Sequence, residues 1–361
     1  MKVAVAMSGG VDSSAAAALL KKEGHNVIGI TMRLHDEPVV DNNRCSDSRQ
    51  PDAIRQSKAV ADKLGITHVV ADFRDIFTER IINDFCREYS VGRTPNPCVR
   101  CNQYIKFGAL MEKARELEAD YLATGHYARI EQDNATGKFI LKKGTDRQKD
   151  QSYFLCRLNQ EQLSHTMFPV GDMTKEKVKK TAEELNLPVI DRPESQEICF
   201  IPDNDYSRFL EEYKPESISP GPILNRQGDT IGRHTGLHRY TIGQRKGLGI
   251  AAAEPLYVTA IEPETNAVIA GSKDQTYGDE LTATDVSWTA GTPPEYPVTV
   301  KARIRYRHPE AEAVVTPLDS SSVHVKFTEP QMAITPGQTI VFYDGENVIG
   351  GGTINVQGSE K

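Results

Sequence analysis

The chain reads as a doubly wound α/β domain with a mostly parallel sheet, followed by a small central domain and a C-terminal β-barrel. Three observations carry this. The first 125 residues alternate strand-like and helix-like segments, the rhythm that covers both faces of a parallel sheet with helices. After about residue 205 the composition shifts towards Pro, Gly and Ser. From 255 onward, short β-branched runs alternate with turn residues, as in a small barrel or sandwich. The predicted domains are 1–204, 205–275 and 276–361.

The elements follow in order. "KVAVAM" (2–7) is an apolar strand, and "VDSSAAAALLKKEG" is an Ala/Leu helix stopped by Gly24. "NVIGITMRL" (26–34) is a second strand; "PDAIRQSKAVADKLG" (51–65) starts a helix on Pro51 and stops it on Gly65. "THVVAD" is the third strand, and "DIFTERIINDFCREYS" sets Ile76, Phe77, Ile81 and Phe85 at helical spacing. "ADYLATGHYA" supplies a further strand. "TKEKVKKTAEELNLP" (174–188) is a helix whose charge run reads as a solvated face. "KPESISPGPILNRQGDTIG" is loop-rich, and "LYVTAIEP", "NAVIAGS", "VTVKARIRY", "SVHVKFTE" and "QTIVFYDGENVIGGGTI" are the later strands. No internal repeat or low-complexity tract interrupts them.

At 361 residues, two or three domains are expected. An apolar content of 38% and a charged content of 26% describe an ordered globular protein. "MKVAVAMSGG" runs straight into a strand with no leader pattern, and the longest apolar runs fall short of a membrane span. A cytoplasmic protein with no membrane partner is expected. In that compartment six cysteines are not a disulfide framework; clustered ones suit metal binding or catalysis. A net charge of −7 disfavours a dedicated nucleic-acid binder but conceals local patches.

"SGGVDSS" (8–14) joins the first strand to the first helix. Ser8, Gly9 and Gly10 let the backbone bend sharply and present successive N–H groups, and the helix adds its positive end, a cradle for phosphate. It is neither G-x-x-x-x-G-K-[ST] nor G-x-G-x-x-G. An ordinary βα turn capped by Asp12 and Ser13 is the plain alternative. The whole string resembles the PP-loop ATP pyrophosphatases, with an adenine nucleotide alpha hydrolase-like fold, which cleave ATP between its α- and β-phosphates. The resemblance implies that Ala6, Met7, Ser8, Gly9, Gly10, Val11, Asp12 and Ser13 contact ATP and that Asp12 helps place Mg2+. Met32 and Gly125 would lie on the adenine side; a strand-end core residue and a tight turn are their plain alternatives.

Further motifs form an ordered set: "GRTPNPCVRCNQYIKFG" (92–108), "LATGHYARI" (122–130), "KDQSYFL" (149–155), "ESQEICFIP" (194–202), "HTGLHRYTIGQRKGLGI" (234–250), "KARIRYRHP" (301–309) and "TPGQTIVFYDGENVIGGGTI" (335–354). Together they resemble the tRNA-specific 2-thiouridylase family from end to end. The resemblance implies ATP-dependent replacement of the C2 oxygen of the wobble uridine (position 34) by sulfur. Adenylation makes that oxygen a leaving group, and a cysteine persulfide brings the sulfur. It also implies that Cys199 carries the persulfide, that Cys101, expected in a loop between two helices, helps release the sulfur, and that a Cys101–Cys199 disulfide is the spent product. Sulfur would come from a cysteine desulfurase or a sulfur-relay protein.

Free cysteines are commonly buried core residues, the reading for Cys86 and Cys156; Cys45, in "DNNRCSDSRQ", reads as an exposed thiol. Cys98 departs from the family pattern, in which an aspartate usually stands. Three readings of "NPCVRCN" compete. A zinc site lacks a fourth ligand nearby. For a redox dithiol, Pro95 and Pro97 argue for a loop rather than a helix start. The serious rival to the persulfide route is an iron–sulfur cluster on Cys98, Cys101 and Cys199.

An acidic tRNA-binding protein must gather its positive charge locally. "RHTGLHRYTIGQRKG" (233–247) and "KARIRYRH" (301–308) each hold four Arg or Lys and no acid. Lys301, Arg303, Arg305 and Arg307 are expected on one strand face; a solvated barrel exterior is the alternative. The resemblance implies Asn96, Pro97 and Cys98 at the target base, and tRNA contacts from Lys149, Asp150, Gln151, Arg305, Tyr306, His126 and Gln338. Rival functions are an ammonia-using synthetase, which would not need Cys101 or Cys199, and a non-catalytic tRNA-binding protein, which would tolerate loss of Asp12.

Overall fold

The structure, a computed structural model, describes residues 1–35, 49–189, 198–201 and 203–355. Cys45 and most of "ESQEICFIP" lie outside these residues; Ile198, Cys199, Phe200 and Ile201 lie within them.

Five parallel strands form the first sheet: β1 (Lys2–Ala6), β2 (Asn26–Arg33), β3 (Thr67–Asp72), β4 (Tyr121–Ala123) and β7 (Thr166–Met167), in the order β3-β2-β1-β4-β7. Their near-continuous apolar character is what burial on both faces demands. Val3 and Val5 face the helices α1 (Val11–Lys22) and α2 (Arg49–Leu64), meeting Ala17, Leu20 and Val60. Ala4 and Ile30 face the other way, onto Phe107, Leu110 and Met111. The order reverses between β1 and β4, so their carboxyl ends open a crevice, the usual ligand position in such sheets.

A hairpin, β5 (Ala128–Gln132) with β6 (Phe139–Lys143), leaves this domain and joins another sheet. The central module is four-stranded: β8 (Gly221–Leu224), β9 (Thr230–His234), β10 (Tyr257–Glu262) and β11 (Ala267–Gly271), ordered β10-β11-β8-β9. The last six strands are β12 (Tyr277–Trp288), β13 (Val298–Arg303), β14 (Ala311–Pro317), β15 (Val323–Met332), β16 (Thr339–Asp344) and β17 (Asn347–Ile354). They run β12-β15-β14-β13-β16-β17 and close through β12 with β17. The result is a six-stranded barrel filled by Leu281, Val300, Ala302, Val325, Phe327 and Phe342. The hairpin extends it, β6 pairing with β17 through Asn347 opposite Lys142.

The structure departs from expectation in three places. The basic strand ends at Arg303, so Arg305 and Arg307 lie in the following turn and do not share its face. Its charge is also partly neutralised, since Lys301 meets Glu312 and Arg303 meets Glu310 on the adjoining segment. "PCVRC" is helical rather than a loop. Pro97 needs no N–H at a first helical position, and the Asn96 side chain caps the helix by accepting from Val99 N–H.

Candidate active site

Residues 97–116 form one continuous helix with a π-helical middle, Asn102–Ala109, in which Leu110 N–H bonds the carbonyl of Ile105, five residues back. The other helix against the thiol region has a π-helical turn too, Thr78–Ile82. Such insertions re-aim side chains and concentrate at functional sites.

At the phosphate loop, Gly9 has φ 75°, and a Cβ there would lie 2.9 Å from the carbonyl oxygen of Ala53, so a side chain has no room. The Ser8 N–H donates to Ser13 Oγ (3.2 Å), and the Ser13 and Ser14 hydroxyls donate to Gly10 O. Gly10 caps α1 with no side-chain bond, leaving the helix's first N–H groups pointed into the loop. Asp12 accepts from Lys175 Nζ at 2.8 Å on both oxygens and from Tyr127 OH at 2.7 Å. Lys175 is buried, so the run "TKEKVKK" is not wholly a solvated face. Neither Lys175 nor Tyr127 stood out in the sequence. A buried lysine inside a charged run has no local signature.

Gly125 follows β4 and packs onto the loop; a Cβ there would lie 2.6 Å from Ser13 N. The next residue, His126, is held by Thr124 Oγ1 at Nδ1 (2.6 Å) and by Lys106 Nζ at Nε2 (3.4 Å). An ammonium group only donates, so Nε2 accepts and Nδ1 carries the ring proton. Burial, then the Lys106 charge, pushes His126 well below its usual pKa.

Lys106 also acts on the thiols. Burial raises Cys98, Cys101 and Cys199, Cys101 to about 11 and Cys199 to about 12, while the Lys106 charge opposes the rise at all three. Cys199 feels both Cys101 and Cys98, and Cys101 feels Cys98. Cys101 packs in one core cluster with Ile198 and Phe200, the residues either side of Cys199, so the thiols gather in one region within reach of the Lys106 charge. Cys98 and Cys199 reach solvent while protein surrounds them; Cys101 is buried. Phe200 anchors the Cys199 segment in an aromatic cage of Phe77, Phe85 and Phe209, with centroids 5.4 to 5.7 Å away. Cys86 and Cys156 are fully buried, as expected for core residues. Among the described residues no three His, Cys, Asp or Glu side chains are arranged to hold a metal ion.

The expected RNA contacts are dispersed and mostly engaged. Asp150 is buried and accepts from the N–H groups of Gly144 and Ser152 and from the Ser152 hydroxyl. Gln151 Oε1 accepts from Tyr127 N–H (3.0 Å), and Lys149 is half-buried beside it. Arg305 turns inward to Ile242 O, Ala333 O and Thr335 Oγ1, joining the central module to the barrel. Tyr306 packs on Phe154 at 4.4 Å. Gln338 donates to the carbonyls of Thr94 (2.9 Å) and Pro95 (3.3 Å). Met32, at the end of β2, packs between the sheet core and the thiol-side cluster. No helix among the described residues is long and apolar enough to cross a membrane.

An α/β domain with a phosphate cradle at its switch point, carrying a thiol recess and two β modules, defines a nucleotide-binding enzyme class. Family descriptions match all three parts: "tRNA methyl transferase HUP domain" over 1–203, "tRNA methyl transferase PRC-barrel domain" over 207–272 and "Aminomethyltransferase beta-barrel domain" over 278–354. The "tRNA-specific 2-thiouridylase MnmA" of Symbiobacterium thermophilum is 49% identical over 98% of this chain and 92% of its own length. That of Acetivibrio thermocellus is 48% identical over 98% and 99%, and that of Heliobacterium modesticaldum 51% over 98% and 92%. The chain belongs to the tRNA-specific 2-thiouridylase MnmA family. A solved structure, "U34-tRNA thiolase NcsA from Methanococcus maripaludis with its [4Fe-4S] cluster", overlaps 60% of this chain and 67% of its own at 22% identity and TM-score 0.35, too slight a likeness to carry an argument.

Proposed function

We propose that the chain uses ATP to convert the wobble uridine of tRNA to 2-thiouridine, releasing AMP and pyrophosphate. The observation that carries this is continuity between the two half-sites. Gly125 packs on Asp12 and Ser13, and its neighbour His126 meets Lys106, whose charge reaches Cys98, Cys101 and Cys199. Phosphate activation and sulfur delivery can thus act on one base.

In this reading the loop N–H groups and Lys175 hold the phosphates while the uridine C2 oxygen attacks the α-phosphorus and pyrophosphate leaves. Lys175 would exchange its hold on Asp12 for ATP. Mg2+ fits here: one carboxylate, Asp12, with phosphate oxygens and water is a normal magnesium set, and the ion would supply charge neutralisation. The terminal sulfur of a Cys199 persulfide then attacks C2, and AMP departs. Cys101 attacks the Cys199 sulfur, breaking the S–S bond, leaving the transferred sulfur on the base and forming a Cys101–Cys199 disulfide that is reduced before the next turnover. The persulfide comes from a donor protein such as a cysteine desulfurase or a sulfur-relay protein. Among the described residues no three His, Cys, Asp or Glu side chains are arranged to hold a metal ion, and no step here runs through an iron–sulfur cluster. Cys98, lying where the family usually has aspartate, borders the target base.

The test is nucleoside mass spectrometry after incubation with ATP, a wobble-uridine tRNA and a sulfur donor, with iron and acid-labile sulfide measured on anaerobically purified protein. 2-Thiouridine without iron supports the reading. 2-Thiouridine that needs iron and Cys98 replaces the persulfide step with a cluster, and its absence under both conditions removes the function.

A further inference from the structure

The segment that leads into Cys98 and Cys101 is tied to the barrel at several points, besides the bonds of Arg93 to Glu88 and of Thr94 to Thr241. Arg93 donates to Asn355 Oδ1 (3.0 Å) and Ile354 O (3.3 Å). Thr94 N–H donates to Pro336 O (2.9 Å), and Gln338 donates to the carbonyls of Thr94 and Pro95. Gly337, at φ 89°, fits against the Thr94 backbone, where a Cβ would lie 2.9 Å from its N and O. Beyond Cys98, Arg100 donates to Asp285 Oδ2 at 2.6 Å.

Asp285 is the unusual member. It lies in β12 where the register with β17 shifts, between Thr284 and Ser287, so the strand bulges and turns this side chain out of the barrel wall. Its φ of 52° is a conformation that non-glycine residues other than Asn and Asp rarely adopt. The same carboxylate lies 2.8 Å from Arg157 Nη1, whose side chain is 2% exposed and whose Nη2 donates to Thr353 Oγ1. Arg100 and Arg157 are thus drawn together by one barrel carboxylate, and Arg100 sits between the two cysteines of the thiol helix.

We propose that Asp285 is a positioning residue: through Arg100 the barrel fixes the Cys98–Cys101 turn, so the C-terminal module sets the geometry of the sulfur site. A purely structural alternative is that Asp285 only neutralises buried Arg157. Part of the test, thiolation, rests on the function proposed above; the exchange measurement does not. Asp285→Asn keeps the bulge, since asparagine tolerates positive φ, and removes the charge. Hydrogen exchange monitored by mass spectrometry on the full chain should then quicken at least tenfold at residues 97–104, with strands β14 and β15 unchanged. Single-turnover thiolation should fall while the affinity for tRNA holds. Unchanged exchange at 97–104, or a uniform rise across the barrel, overturns the proposal. Failure of thiolation in the wild-type chain as well would count against the function and leave the exchange result standing.

Discussion

Lys175 Nζ lies 2.8 Å from both carboxylate oxygens of Asp12, reaching it from the helix Lys175–Glu184 that packs beside α1. In the proposed reading, a cation and an anion that serve different parts of ATP neutralise each other here. Lys175→Met should therefore weaken ATP use by about ten- to a hundredfold, the weight of a charge-assisted hydrogen bond. Asp12→Ala should abolish ATP consumption. Pyrophosphate release measured across ATP concentrations checks both, and a Lys175→Met enzyme with unaltered ATP dependence would remove Lys175 from the site.

Gly125→Ala tests the contact between β4 and the loop. Its Cβ would press on Ser13 N at 2.6 Å and on the backbone of Asp12 at 2.7 Å. The start of α1 must retreat, so ATP binding should fail while the circular dichroism spectrum stays that of the parent. Equilibrium dialysis with ATP reads this directly.

Cys199→Ser should spare adenylation and abolish thiolation. Cys101→Ser should also block product release, leaving Cys199 joined to the base through a disulfide, seen as a protein–tRNA adduct that a thiol reductant cleaves. Iodoacetamide at neutral pH should mark Cys98 and Cys199 before Cys86 or Cys156, because only the first two reach solvent. Normal thiolation by Cys199→Ser would sink the sulfur-transfer scheme.

His126 makes stability depend on pH. Its folded pKa lies well below 6.5 because burial disfavours the charged ring. As pH falls through about 6.5 the unfolded chain takes up a proton that the folded chain refuses, so stability drops, by about 1.4 kcal/mol per pH unit for such a group. Above that pH it has no effect. His68, His234 and His238 are lowered too, each chiefly by burial, and act in the same sense. Thermal melting at pH 7.5 and 5.5 should show a lower midpoint in acid, and His126→Gln should reduce the difference.

Much of this was legible in local pattern. The glycine pair after an apolar strand, the Ala-rich α1 and the alternating strands of the barrel each follow from short-range spacing, and Cys86 follows from helical periodicity. What escaped depends on distant partners or on a change of helical period. Nothing local marks Asn102–Ala109 as π-helical, so the place of Lys106 beside the thiols could not be read from a 3.6-residue repeat. Pro97 spoke for a loop only because its role as a first helical residue depends on the Asn96 cap. Arg305 looked like a strand-face cation because its three carbonyl and hydroxyl partners lie in segments far from it in sequence.

The pairing of β6 with β17 has a consequence for synthesis. The N-terminal domain emerges from the ribosome with the edge of β6 bare, and its mate, Asn347 to Val348, is made only after the central module and the other five barrel strands. An unpaired strand edge invites pairing with other nascent chains. The hairpin must wait through translation of the central module and nearly all of the barrel. A message truncated before β17 would thus yield a protein that retains its phosphate loop and is sticky, captured by chaperones or lost to aggregates.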